Sequence, residues 1–130
     1  MTILIAEDAP IDAIVIRNIV EHAGYRAVVV NNGQEALHAL AADRGIALVL
    51  ADVMMPLMGG VELLRVMRET PEMKCIPVVF VSSAADAETV NGAVALGPAG
   101  YILKPVTQPS RVLERVERAL GVGPAHAEAR

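Results

Sequence analysis

The segment from Ala47 to Gly60, ALVLADVMMPLMGG, constrains the fold of this chain more than any other stretch. It opens with a short apolar run without polar alternation, which favours a strand buried on both faces of a parallel sheet. Asp52 ends that run, at the position where open α/β sheets bind their ligands. Pro56 and the Gly59–Gly60 pair then predict a loop before the next helix. Taken alone, Asp52 also fits an ordinary turn, so its role depends on the residues at the ends of the other strands.

The same order of apolar run, polar end and amphipathic segment repeats along the chain. Strands are predicted over residues 2–6, 25–30, 47–51, 77–81 and 101–103, and helical spacing of apolar residues comes after each of them. The fourth helix, about residues 86–96, contains Asn91–Gly92 and should be loosely held, because glycine costs about 1 kcal/mol relative to alanine. This alternation predicts a doubly wound parallel sheet with helices on both faces. We expect one domain over residues 1–120 and a flexible C-terminal tail over residues 121–130.

Composition limits the possible partners. The chain is 54% hydrophobic and 20% charged, which excludes a disordered protein. Its net charge of -4, without a cluster of lysine and arginine, argues against binding to nucleic acid or to an anionic membrane. No apolar run approaches membrane-spanning length, and Met1 leads directly into a strand without a basic leader. We therefore expect a cytoplasmic protein with a protein partner.

Polar side chains stand at the end of each predicted strand, and the ends of parallel strands meet at one edge of a sheet. Three carboxylates together would raise each other's pKa unless a cation neutralised them, and an oxygen-only site suits Mg²⁺. A lysine and a hydroxyl opposite would hold a phosphoryl group, with a carboxylate as nucleophile. The pattern therefore indicates phosphoryl transfer to an aspartate. The residues at the strand ends are Glu7, Asp8, Asn31, Asp52, Ser82 and Lys104.

In order and spacing, these residues resemble the receiver domain of bacterial two-component response regulators. The resemblance rests on Glu7–Asp8, Asp52 within DVMMP, Ser82, Tyr101 and Lys104–Pro105, and it extends to about residue 120. It implies a flavodoxin-like (βα)5 fold with strand order 2-1-3-4-5. It also implies that the peptide bond before Pro105 is cis.

The resemblance also implies a role for each site residue. Asp52 would be the phospho-acceptor, and Ser82 and Lys104 would contact the phosphoryl oxygens. Ser82 and Tyr101 would form the switch that changes the surface of helix 4, strand 5 and helix 5. The Mg²⁺ ligands would be Glu7, which acts through water, Asp8, Asp52 and the Met54 carbonyl.

Three positions depart from the common family pattern without removing a chemical group from the site. Gly59 stands where aspartate is frequent, Ser83 where alanine is usual, and Val106 where phenylalanine often comes after Lys-Pro. They bear on fine tuning, such as the lifetime of the phosphoryl-aspartate.

Receiver domains act as regulators, so the resemblance implies a phospho-acceptor that is not an enzyme. Its donor would be a sensor histidine kinase or a histidine phosphotransfer protein, and its output a downstream protein target. We expect a monomer or weak dimer. A receiver cut from a hybrid kinase or a larger regulator stays open, because DAPID at residues 8–12 resembles the D-N-P-x-N of hybrid-kinase receivers.

Two other classes fit less well. An aspartyl-phosphate hydrolase would be expected to have a second acid two residues after its nucleophile, where Met54 stands. A nucleotide-binding module would have a G-x-G-x-x-G segment or a Walker lysine after the first strand, and neither is present.

The first helix contains one apolar residue outside its core-facing stripe. Val15, Ile16, Ile19 and Val20 share one face, whereas Ile14 projects from another, near Arg17 and Asn18. Single exposed apolar residues are common. In the receiver family, however, this helix packs against the helical hairpin that carries the donor histidine. We therefore expect Ile14 to be part of the partner surface.

Overall fold

The structure is a computed structural model, and it describes residues 1–122. Most of the predicted tail, residues 123–130, lies outside the described residues. Five parallel strands form one sheet in the order β2-β1-β3-β4-β5, as predicted. The elements are β1 (Thr2–Ala6), α1 (Pro10–His22), β2 (Arg26–Val30), α2 (Gly33–Ala42), β3 (Ile46–Asp52), α3 (Gly60–Glu69), β4 (Val78–Ser82), α4 (Ala87–Gly92), β5 (Gly100–Leu103) and α5 (Pro109–Leu120).

The sheet separates two apolar cores because successive residues of a strand point to opposite faces. Ile3 and Ile5 of β1 face α1 and α5, where they pack with Ile16 and Val116. Leu4 and Ala6 face the opposite way, towards α2, α3 and α4. Residues 48–51 of β3 have no exposed surface, which confirms that this strand is buried on both faces.

The element bounds differ slightly from the sequence prediction. The sequence predicts Tyr25 in the second strand, but this residue precedes β2 and is buried between α1 and β2. The fourth strand begins at Val78 and includes Ser82. The fifth strand begins one residue early, at Gly100.

The fourth helical segment is broken rather than continuous. Only Ala87–Gly92 is α-helical, and 3-10 turns at Ala84–Asp86 and Val94–Leu96 flank it. Val90 and Ala93 are its buried residues, so this segment presents little apolar surface to the core. The prediction of a single helix over residues 86–96 was therefore wrong in extent, although the weakness expected from Asn91–Gly92 agrees with the break.

None of the helices in residues 1–122 combines the length and the apolar character that crossing a bilayer requires.

Candidate functional site

Backbone hydrogen bonds hold the site residues at the carboxyl edge of the sheet. The Glu7 N–H donates to the Val30 carbonyl at 3.0 Å, which continues the β1–β2 ladder one residue past β1. The Lys104 N–H donates to the Ser82 carbonyl at 2.7 Å, past the end of β5. Because the chain reverses its direction of winding between β1 and β3, the ends of these two neighbours form the crevice where such sheets bind ligands.

Three predicted carboxylates meet in this crevice. Glu7, Asp8 and Asp52 each place one oxygen within 4.8 Å of the others. Glu7 and Asp52 are only 1% and 4% exposed, whereas Asp8 is exposed. Two buried acids beside a third are costly without compensating charge, so the arrangement calls for cations.

Lys104 supplies one positive charge to these acids. Its Nζ donates to Asp52 Oδ2 at 2.8 Å and to Glu7 Oε1 at 3.1 Å. Burial by itself lowers the pKa of Lys104, but the hydrogen bonds to Asp52 and Glu7 outweigh it and raise that pKa above its ordinary value. Lys104 therefore stays charged at all physiological pH values.

The single ammonium of Lys104 does not neutralise or hydrogen-bond all the carboxylate oxygens of the cluster. The pKa of Glu7 is raised from 4.5 to about 7, mostly by burial and further by a hydrogen bond that its protonated form makes to Asp52 and by the negative charge of that acid. The backbone N–H of Ala9 and the ammonium of Lys104 act in the opposite direction. Among residues 1–122, Glu7 Oε2 is the one fully buried side-chain polar atom without a hydrogen-bond partner.

These features fit a hard divalent cation. The cluster offers only oxygen ligands, which Mg²⁺ prefers, and they are the unpartnered oxygen of Glu7, the buried carboxylate of Asp52 and the exposed carboxylate of Asp8. The residues present could therefore hold Mg²⁺.

The loop after β3 keeps the backbone close to Asp52. The Met54 N–H donates to Asp52 Oδ1 at 3.1 Å, which orients the carboxylate. A Cβ atom at Gly60 would lie 2.6 Å from the Asp52 carbonyl oxygen, so only glycine allows the chain to pass this close to the end of β3.

The same loop also exposes apolar side chains. Leu57, which is 79% exposed, has a left-handed backbone conformation with φ of 66°. The side chain of Met54 is also exposed.

The two predicted switch residues lie on neighbouring strands. Ser82 ends β4 and is buried, and Tyr101 in β5 is 37% exposed. Tyr101 contacts Phe80 with ring centroids 6.1 Å apart. Beyond β4, Asp86 accepts hydrogen bonds from the backbone N–H and the hydroxyl of Ser83, at 3.2 and 3.0 Å. This link connects the end of β4 to the start of the α4 segment.

Two other predicted residues lie outside the carboxylate cluster. Asn31 is exposed, and its backbone N–H donates to Glu35 Oε1 at 2.9 Å at the start of α2. Ile14 is 57% exposed, as the helical pattern indicated, and it lines a cavity of about 220 Å³ together with Asp8 and Arg17.

One charged member of the site is not among the strand-end residues that the sequence predicts. Asp12 Oδ2 lies 3.4 Å from Lys104 Nζ. The available signal was its position in the first turn of α1, close behind the Glu7–Asp8 pair. That helix begins at the site, so an acid there lies near the other carboxylates.

A doubly wound parallel sheet with buried acids and a lysine at its carboxyl edge is typical of a receiver domain, the regulated module of two-component signalling. Comparison with known families agrees, since the family model described as "Response regulator receiver domain" matches residues 3–117. The chain belongs to this family.

Its relatives include response regulators of plants and bacteria. "Two-component response regulator ORR5" of Oryza sativa subsp. japonica is 34% identical over 91% of this chain and 87% of the relative. "Polar-differentiation response regulator DivK" of Brucella anthropi is 31% identical over 92% and 96%. The solved signal receiver domain of a signal transduction histidine kinase from Syntrophus aciditrophicus is 33% identical, with a TM-score of 0.83 and coverage of 92% and 89%.

Proposed function

We propose that Asp52 accepts a phosphoryl group from a phospho-histidine donor and thereby switches the surface of α4, β5 and α5. The observation that carries this proposal is the buried Asp52 carboxylate, which lies 2.8 Å from Lys104 Nζ within the cluster formed with Glu7 and Asp8. A nucleophile beside a fixed positive charge and further acids for a metal is the arrangement that phosphoryl transfer requires.

In the transfer, a carboxylate oxygen of Asp52 attacks phosphorus and the P–N bond to the donor histidine breaks. The imidazole nitrogen keeps the electron pair of that bond. With acetyl phosphate as donor, a P–O bond breaks instead and acetate leaves. The products are an acyl phosphate on Asp52 and the free donor.

Glu7, Asp8, Asp52 and the Met54 carbonyl would hold Mg²⁺, with Glu7 acting through water. When bound, the metal neutralises the acids and the charge on the transferring oxygens. Lys104 and Ser82 contact the phosphoryl oxygens from the side of β4 and β5. The Met54 N–H holds Asp52 in the orientation for attack.

The new phosphoryl group adds a charge of about -1.5 to -2 at Asp52. Ser82 would turn towards this charge and Tyr101 would move with it, because the two residues lie on adjacent strands. The short α4 segment lies directly after β4 and has few buried residues, so it is the element that can repack at low cost. Its changed surface would then bind the downstream protein.

The donor would be a sensor histidine kinase or a histidine phosphotransfer protein, docked on a surface that includes Ile14. The protein would act in the cytoplasm as a regulator that assists its own phosphorylation and dephosphorylation and transforms no other substrate. A receiver unit of a hybrid kinase is the second candidate, since the Syntrophus aciditrophicus domain at 33% identity comes from a histidine kinase.

Intact-mass measurement after incubation with acetyl phosphate and Mg²⁺ tests the proposal. We expect one added phosphoryl group in the native protein, with none in the presence of a chelator. Asp52→Asn removes the nucleophile and keeps the size of the side chain, so it should abolish the gain. A mass gain that survives this substitution would exclude Asp52 as the acceptor.

A further inference from the structure

Lys104 contacts a carboxylate that lies outside the cluster assigned to the metal. Asp12, in the first turn of α1, places Oδ2 3.4 Å from Lys104 Nζ. Glu7 and Asp52, the other two partners of this ammonium, lie on the sheet side of the site. Lys104 therefore bridges the carboxyl edge of the sheet and the start of α1.

Lys104 forms ion pairs with three carboxylates, and these pairs compete with the contact that it would make to a phosphoryl group. An ammonium has three N–H groups, and Asp52 and Glu7 accept two of them. The third carboxylate, Asp12, is 31% exposed at its side chain, whereas Asp52 is 6% and Glu7 1% exposed. It is therefore the partner nearest to the solvent from which a donor approaches.

We propose that Asp12 is a positioning residue that holds Lys104 towards α1 and restrains the reaction of Asp52 with phosphoryl donors. This inference rests on the function proposed above. Asp12 touches no reacting atom. It acts on Lys104, because an anion at 3.4 Å lowers the positive potential that the ammonium presents to the donor oxygens and favours a lysine position away from them.

The second-order rate constant for labelling by acetyl phosphate, followed by intact mass at fixed Mg²⁺, measures this restraint. Asp12→Asn keeps the shape of the side chain and removes its charge, so we expect labelling to be about fivefold faster, the scale of a partly exposed ion pair. Asp12→Glu restores the charge and should return the rate towards that of the native protein. Glu72→Gln makes the same change of net charge at an exposed residue after α3 and should leave the rate unchanged.

A double-mutant cycle shows whether Asp12 acts through Lys104. In a Lys104→Met background, Asp12→Asn should change the rate by less than about twofold, because the partner is gone. An equal acceleration in both backgrounds would overturn the proposal, as would no acceleration in Asp12→Asn or the same acceleration in Glu72→Gln. The function proposed for Asp52 fails by a different result, namely no Asp52-dependent labelling in the native protein.

Discussion

At the scale of single residues, the site is a group of acids with too little positive charge nearby. Lys104 serves three carboxylates, and even so one oxygen of Glu7 stays buried without a partner. The pKa of Glu7 near 7 is the consequence, and burial is its largest cause. The metal-free site is therefore a source of instability, which a bound cation would relieve.

Glu7→Gln should stabilise the metal-free protein in a pH-dependent way. Because the pKa of Glu7 is about 7 in the fold and ordinarily 4.5, the folded state keeps a proton that the unfolded chain releases between these values. Ionised Glu7 thus costs stability as pH rises from about 4.5 to 7, and the full cost remains above pH 7. The variant avoids this cost. Urea unfolding in a chelator should show a gain on the order of 2 kcal/mol at pH 8 and a much smaller gain at pH 5.

Mg²⁺ provides the control for this prediction. The native protein should gain more stability from Mg²⁺ than Glu7→Gln does, since the variant lacks one of the acids of the site. A gain for Glu7→Gln that is the same at pH 5 and pH 8 would show that the substitution acts on packing and that Glu7 does not titrate in this range.

At the scale of elements, the segment formed by α4 and its two flanking 3-10 turns, residues 84–96, is held mainly at its ends. The Ser83–Asp86 hydrogen bonds hold its start. Arg68 of α3 holds its other end, donating to the carbonyls of Leu96 and Gly97 at 3.2 and 3.3 Å. The same guanidinium donates to two further carbonyls in the α3–β4 connection. The Ser83–Asp86 hydrogen bonds are local to the start of the segment, whereas those of Arg68 attach its end to α3. The start can therefore move while the end stays attached.

Arg68→Lys should therefore loosen the end of this segment. Lysine keeps the charge but lacks the planar group that reaches several carbonyls at once. We expect a loss of roughly 2 kcal/mol in urea unfolding, because hydrogen bonds from a charged donor are among the stronger ones. Hydrogen exchange of the Leu96 and Gly97 amides, whose N–H groups donate to the carbonyls of Ala93 and Val94, should become faster.

Arg65→Lys is the matched control on the same helix. Arg65 is exposed and pairs only with Glu62 among the contacts described, so its replacement should cost less than about 0.5 kcal/mol. Equal losses in the two variants would contradict the role assigned to Arg68.

The exposed face of α1 gives a prediction about the partner. Ile14 is 57% exposed beside Asp8. Ile14→Asp should slow phosphotransfer from the cognate histidine protein by about tenfold or more, the scale of a central apolar contact in an interface. Labelling by acetyl phosphate should be almost unchanged, and the melting temperature should fall little, because the residue lies outside the core.

Val94→Asp is a matched control for Ile14→Asp. Val94 has the same 57% exposure but lies in the segment after α4. Val94→Asp should not affect the rate of phosphoryl transfer from the histidine donor. Equal loss with both donors in Ile14→Asp would mean that the substitution damages the site itself.

At the scale of the whole molecule, the sequence predicted the sheet and its edge because both depend on local patterns. A buried parallel strand appears in the sequence as a run of apolar residues. Because the strands are parallel, the residues Glu7, Asp52 and Lys104 that end or follow them lie at the same edge of the sheet. The observed strand order confirms the fold, and the family match confirms the receiver class.

Two features could not be predicted from the sequence because they depend on contacts between distant segments, namely the Asp12–Lys104 ion pair and the break in the fourth helix. The place of Asp12 near the Glu7–Asp8 pair follows from its position in the first turn of α1, but its contact with Lys104 at the end of β5 depends on the tertiary fold. The break in the fourth helix likewise reflects weak tertiary packing, with Val90 and Ala93 as its buried residues. The helical pattern of its sequence does not show where such a helix ends.

Asp52 is the proposed acceptor of the phosphoryl group, and chemical trapping of the acyl phosphate tests this role most directly. Borohydride reduces an acyl phosphate to an alcohol, with release of phosphate, so it leaves a stable mark on the modified residue. We would label the protein with acetyl phosphate and Mg²⁺, reduce it with borohydride and locate the reduced residue by tandem mass spectrometry of its peptides. The reduced residue is expected at position 52 alone, and reduction at Asp8 or Asp12 with position 52 unchanged would show that Asp52 is not the acceptor.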